Sequence, residues 1–241
     1  MVIPIGDEPS GHRSPPYVVY GLIALNALVW LLQLQIGEPF TNGWSTVPYE
    51  ITHAEDLTGT RTIEAGGEAF PVRLYPGPTP IYLTLLSAMF MHGSWLHILG
   101  NMLYLWIFGD QIEHLLGRGR FIMFYLVCGL AASVAQILYS PDGIVPSLGA
   151  SGAIAGVLGA YMVKFPRNRV RVLMGRGVTT MPALLVLGLW IVLQIFAQVG
   201  TPASEATGIA YMAHIGGFVA GIALVVVMAA GRRVPTVRVG T

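Results

Sequence analysis

An all-α integral membrane protein with six transmembrane helices is the fold class that this sequence predicts, on three observations. Of its 241 residues 54% are hydrophobic and only 10% are charged, where a soluble globular chain carries about 25% charge. Apolar runs recur at 17–36, 96–114, 120–139, 151–163, 181–200 and 209–230, most of them near the ~20 residues that a helix needs to cross a bilayer. Threading six spans also sorts the charge. Arg13, Arg118, Arg120, Lys164, Arg167, Arg169, Arg171, Arg176, Arg232, Arg233 and Arg238 then share one side, and only Arg61 and Arg73 lie on the other. Cytoplasmic loops carry the excess of Lys and Arg, so both termini are expected in the cytoplasm.

Taken in order, residues 1–16 read as a cytoplasmic tail. Asp7 and Glu8 stand where a cleavable signal would be basic, so the run 17–36 is expected to stay as an anchor. A long outer loop, 37–95, follows. Its stretch 37–80 holds six acidic residues and a candidate hairpin around Gly66-Gly67. The apolar piece 81–91 is too short to cross and reads as an interfacial or re-entrant helix. Within the third span lies Cys128, the single cysteine, which excludes an intrachain disulfide framework and a cysteine-cluster metal site. The fourth run is short. The six-span domain covers 17–231, and 232–241 form a basic cytoplasmic tail.

The short fourth run opens on "GASGAIAG", residues 149–156, which places one hydroxyl among small residues. Serine in such a stretch commonly hydrogen-bonds back to its own helix while the small residues pack. Depth argues for more. Ser151 to Lys164 is ~20 Å of helix at 1.5 Å per residue, against a ~30 Å hydrocarbon core. With Lys164 at the cytoplasmic interface, Ser151 lies roughly 10 Å below the outer surface. The irregular "SPDGIVPSLGA" must therefore dip into the membrane, where only protein or a water-filled cavity satisfies non-helical backbone.

His214, in "AHIGGFVAG", reaches a similar depth, ~7–8 Å into the sixth span if that span enters near Ile209. Gly217 and Gly221 below it match a small face of Gly152, Ala155, Gly156 and Gly159 on the fourth span. Such faces let two backbones approach and would carry His214 to Ser151. The second span opens with "HGSWLHILGN", in which His97 and Asn101 stack on one helical face. Two donors aimed at one point suit a developing oxyanion, and interhelical hydrogen bonding is the plainer reading of the same pair. His92 precedes the turn and reads as a brace for the loop.

Along the chain "HGSWLHILGN", "GASG" and "AHIGGFVAG", in that order and each in its expected span, resemble the rhomboid intramembrane serine proteases; "FGDQIEHLLG" fits as well, and the likeness runs from about Tyr17 to Gly231. The resemblance implies Ser151 as nucleophile and His214 as general base, with His97, Asn101 and the Ser151 amide at the oxyanion. It implies loop-organising and structural roles for His92 and Glu113, and places Gly149 and Gly152 beside the nucleophile. Many members carry a tyrosine four residues after the nucleophile that stacks on the histidine. Here that residue is Ala155, which leaves open what braces His214.

Spacing also supports a dyad over a triad, because Asp110 and Glu113 lie ~20 and ~24 Å down the helix from His97. Asp142 and Glu205, in outer loops, stay open as partners of His214. The expected protein is thus an intramembrane serine endopeptidase that cleaves transmembrane segments of other proteins, in a bacterial cytoplasmic membrane. Its partners are transmembrane protein substrates and the lipid bilayer, with no nucleic acid, metal or organic cofactor. An inactive client-binding scaffold is the alternative. A transporter usually calls for inverted repeats or charges within the spans, and no such repeat stands out in the sequence.

Overall fold

The computed structural model describes residues 2–8, 14–65, 68–200 and 210–232. Six long helices stand where the apolar runs are: α1 Tyr17–Ile36, α5 Trp95–Leu116, α6 Arg118–Tyr139, α7 Ser151–Lys164, α8 Ala183–Val199 and α9 Tyr211–Met228. Among the described residues three of these, α1, α6 and α9, are long and apolar enough to cross a membrane by length and composition. Helix α5 has 22 residues, but His97, Asn101, Asp110, Gln111 and Glu113 dilute its apolar character. Helices α7 and α8 have 14 and 17 residues.

Helix α7 is buried along nearly its whole length, from Gly152 to Tyr161. Around it pack Leu105, Phe108 and Ile112 of α5, Phe121, Phe124 and Tyr125 of α6, and Phe218 and Val225 of α9. The outer surface is apolar instead. Leu25, Leu28 and Leu31 of α1, Leu185, Leu193 and Phe196 of α8, and Val226 and Val227 of α9 are all exposed. An apolar belt of that extent is costly in water and matched in hydrocarbon. The start of α1 is held from a distance. Pro16 offers it no side-chain cap, and the Glu113 carboxylate accepts from the amides of Val18 and Val19 at 3.1 and 2.9 Å. A negative charge at a helix N-terminus also opposes the positive end of the helix dipole.

The stretch 37–90 is structured. Helices α2 Glu38–Gly43 and α3 Pro48–His53 precede the antiparallel hairpin of β2 Gly59–Ala65 and β3 Glu68–Leu74, and the short apolar helix α4, Ile81–Phe90, follows. The expected turn at Gly66-Gly67 lies outside the described residues, as do Arg13, Glu205, Arg233 and Arg238.

The all-α expectation needs correcting. Strand β1, Val2–Gly6, pairs with β4, Arg169–Met174, which pairs with β5, Gly177–Pro182, in an antiparallel sheet of order β1-β4-β5. Residues 2–6, read as part of a tail, are therefore part of the fold. Buried Val170 and Val172 join the helical core between exposed Arg169 and Arg171, the alternation of a half-buried strand. Gly175, at φ 60°, opens a two-residue turn of the kind that puts glycine first. Next to the sheet, Tyr161 donates to the Asp7 carboxylate at 2.7 Å and accepts from Asn168 at 3.2 Å.

Candidate active site

Ser151 is the first residue of α7, preceded by irregular chain. That chain finds its partners in the 37–90 segment. Thr46 and Ser147 exchange backbone hydrogen bonds of 3.0 and 2.8 Å, Tyr49 donates to the Gly143 carbonyl, and Gly149 donates to the Ala88 carbonyl at 2.8 Å. Buried backbone requires such pairing. As the opening residue of a helix, Ser151 presents an amide with no acceptor inside that helix, at the positive end of its dipole.

Gly149 has φ +128°, where side chains are rarely accommodated, and a Cβ there would stand 2.8 Å from His97 Nε2 and 3.5 Å from Ser151 Oγ. His97 and the serine hydroxyl thus flank a space that only glycine leaves open. The placement of His97 begins with Ser94, whose side chain caps α5 by accepting from the His97 amide. Gly93 donates to His97 Nδ1 over a long 3.5 Å, so we assign the ring proton to Nε2, the nitrogen beside Gly149.

Asn101, one turn along α5, has its amide nitrogen 2.9 Å from His92 Nε2. His92 Nδ1 lies 3.3 Å from the Phe90 carbonyl, which can only accept. The proton of His92 therefore sits on Nδ1, and Nε2 accepts from Asn101. One Asn101 amide hydrogen is committed to His92 and the second is left over. His92 is itself fully buried, and burial, with His97 nearby, pushes its imidazole down to about 4, so it is neutral. Gln33 of α1, which the sequence did not single out, clamps the His92 backbone by donating to its carbonyl at 2.8 Å and accepting from its amide at 2.9 Å.

His214 Nε2 lies 2.8 Å from Ser151 Oγ. The two helices that carry them meet backbone to backbone. A Cβ at Gly217 would run into the Gly152 carbonyl, one at Gly221 into the Gly156 carbonyl, and one at Gly159 into the Phe218 carbonyl. Gly156 also faces Cys128 of α6, 2.5 Å from where its Cβ would stand. On the other side of the imidazole, Nδ1 lies 2.7 Å from Gln194 Oε1, and the Trp190 ring packs at 5.8 Å between centroids. Both come from α8 and both were missed. Their legible signal is an aromatic and an amide four residues apart in a mostly apolar run. Of the acids weighed as partners of His214, those among the described residues are engaged elsewhere, and Glu205 lies outside the described residues. Asp142 lies 3.8 Å from His53, Asp110 lies against His114, and Glu113 caps α1.

Comparison with known proteins follows this geometry. The Rhomboid domain pattern matches residues 80–231. Rhomboid protease GluP of Bacillus subtilis is 34% identical over 66% of this chain and 26% of its own length. The mitochondrial Rhomboid protein 1 of Saccharomyces cerevisiae is 30% identical over 58% and 40%. The mitochondrial presenilin-associated rhomboid-like protein of Mus musculus is 30% identical over 64% and 35%. The chain thus covers between about a quarter and two fifths of these relatives. With a family match from α4 to the end of α9, and apolar helices long enough to span, the chain is an integral membrane protein and belongs to the rhomboid family.

Proposed function

We propose that this protein is an intramembrane serine endopeptidase that cuts transmembrane segments of other membrane proteins. The observation that carries the reading is the 2.8 Å contact between Ser151 Oγ and His214 Nε2, with His97 across Gly149 and a free helix-end amide at Ser151 itself. Ser151 Oγ attacks the scissile carbonyl as its proton passes to His214 Nε2. The oxyanion gathers the Ser151 amide, His97 Nε2–H and the second hydrogen of the Asn101 amide. His214 then gives its proton to the departing amine as the C–N bond breaks, and water hydrolyses the acyl-enzyme. A relative named as a rhomboid protease is in keeping with this reading, and the relatives named only as rhomboid proteins leave the inactive scaffold as the alternative that the experiment addresses.

In this reading all six helices span, both termini are cytoplasmic, and the Ser151 end faces outward, in a bacterial cytoplasmic membrane. A cysteine replacing exposed Arg73 should react with an impermeant reagent on intact cells, and one replacing exposed Arg176 should not. The reverse pattern would invert the topology. For the activity, a fluorophosphonate probe should label the detergent-purified protein, and Ser151→Ala should abolish both labelling and cleavage of single-span substrates. A folded wild-type protein that resists the probe would favour the scaffold.

A further inference from the structure

The dyad reading leaves the orientation of the imidazole unexplained, because Ala155 brings no ring to it. We propose that Gln194 is the positioning residue of the site: its side-chain carbonyl, accepting from His214 Nδ1–H, holds the histidine in the tautomer that takes the serine proton. The proposal rests on the protease reading above. Its geometry is a chain of three groups from three helices, with Ser151 Oγ 2.8 Å from one ring nitrogen and Gln194 Oε1 2.7 Å from the other. A neutral imidazole carries one ring proton. An oxygen acceptor at Nδ1 keeps the proton there and leaves Nε2 with the lone pair that the Ser151 hydroxyl needs. Were the amide nitrogen to face Nδ1, the proton would move to Nε2, and the ring would be unable to accept from serine. The third position of a catalytic triad demands an acceptor rather than a charge to set the tautomer, and here an uncharged amide meets that demand inside an apolar helix. Trp190, one turn before Gln194, lies 5.8 Å from the imidazole and 6.1 Å from the Phe218 ring, and so limits the ring on a second side.

The test compares wild type with Gln194→Met, close in length and without the acceptor oxygen, and Gln194→Glu, which keeps an acceptor oxygen in either protonation state. The measurements are the rate of fluorophosphonate labelling at Ser151, kcat and KM on one single-span substrate, and thermal stability, all in the same detergent. Gln194→Met should lower the labelling rate and kcat about 100-fold, the scale set by a misplaced reacting group, with KM and thermal stability close to wild type. Gln194→Glu should recover at least tenfold over the Met variant. The assignment is overturned if the Met variant labels within threefold of wild type, or if the Glu variant is as slow as the Met variant, since a loss shared by both is a loss of packing. A wild-type protein that does not label at all would instead sink the protease reading.

Discussion

His214 is held on two sides by helices of opposite character. Towards α7 the contact is backbone on backbone, with Gly217 and Gly221 against the carbonyls of Gly152 and Gly156 and no side chain between them. Towards α8 it is side chain on side chain. That helix buries only Ala183, Val186 and Leu187, near its start, while Leu189, Val192, Leu193, Ile195, Phe196 and Val199 are exposed. Its reach to the site consists of Trp190 and Gln194. The two sides therefore set different things. The glycine seam sets how far Ser151 is from His214, and it has no soft degree of freedom. The α8 side sets which way the imidazole turns and which nitrogen carries the proton, and it works through groups that rotate.

The most severe way to break this division is Gly217→Val. The atom in the way is a backbone carbonyl, which cannot turn aside as a side-chain tip can, so α9 must move off α7. Overpacking of this kind costs about 3 kcal/mol or more, which for a chain of this size is roughly 10 °C in Tm. The expected outcome is a large fall in thermal stability together with loss of probe labelling. A Gly217→Val protein as stable and reactive as wild type would show that the seam is not what sets the distance. The Gln194 variants come next in severity, and they should separate the sides cleanly by losing rate without losing stability.

The two sides also differed in how readable they were. The six helices are legible because each is a long run of mostly apolar residues, and the seam is legible because small residues at four-residue spacing have few other uses. Ser151, His214, His97 and Asn101 stood out as polar groups in apolar runs. Gln194 carried that same mark, but so did Gln33, Asn26 and Gln136, and spacing along one helix does not tell which of them meets a histidine on another. The sheet was hidden for a related reason. Strand β1 pairs with β4 across most of the chain, Pro4 interrupts its pattern, and a short strand with a distant partner leaves little local trace. The hairpin of β4 and β5 leaves a clearer trace, since "RVRVLMGRGVTT" shows alternation about a glycine turn.

The smallest effect expected concerns the layer that holds the start of α7. Helix α3 belongs to the segment whose hydrogen bonds satisfy the chain leading to Ser151: Tyr49 reaches Gly143, Thr52 donates to the Pro141 carbonyl at 2.9 Å, and Thr46 pairs with Ser147. Glu50 of α3 is buried and accepts from the Leu57 amide at 3.1 Å. Burial, with a further push from Asp56, raises its carboxyl from 4.5 to about 7. A carboxyl held higher in the folded than in the unfolded chain binds its proton more tightly when folded. Stability is therefore lost as pH climbs from about 4.5 to about 7 and stays low above that. An amide in place of this carboxyl keeps the acceptor oxygen and cannot ionise, so Glu50→Gln should leave Tm unchanged near pH 4.5 and raise it above pH 7.5. A gain on the order of 1 kcal/mol corresponds to about 2–4 °C. Because the change lies in the layer behind Gly149 and not among the groups that touch His214, kcat at a fixed pH should stay within twofold of wild type. Parallel Tm–pH curves for the two proteins would remove Glu50 as the source of the slope. A large fall in kcat would mean that the loop layer reaches the imidazole, and that the hold on the α7 side is softer than the glycine seam implies.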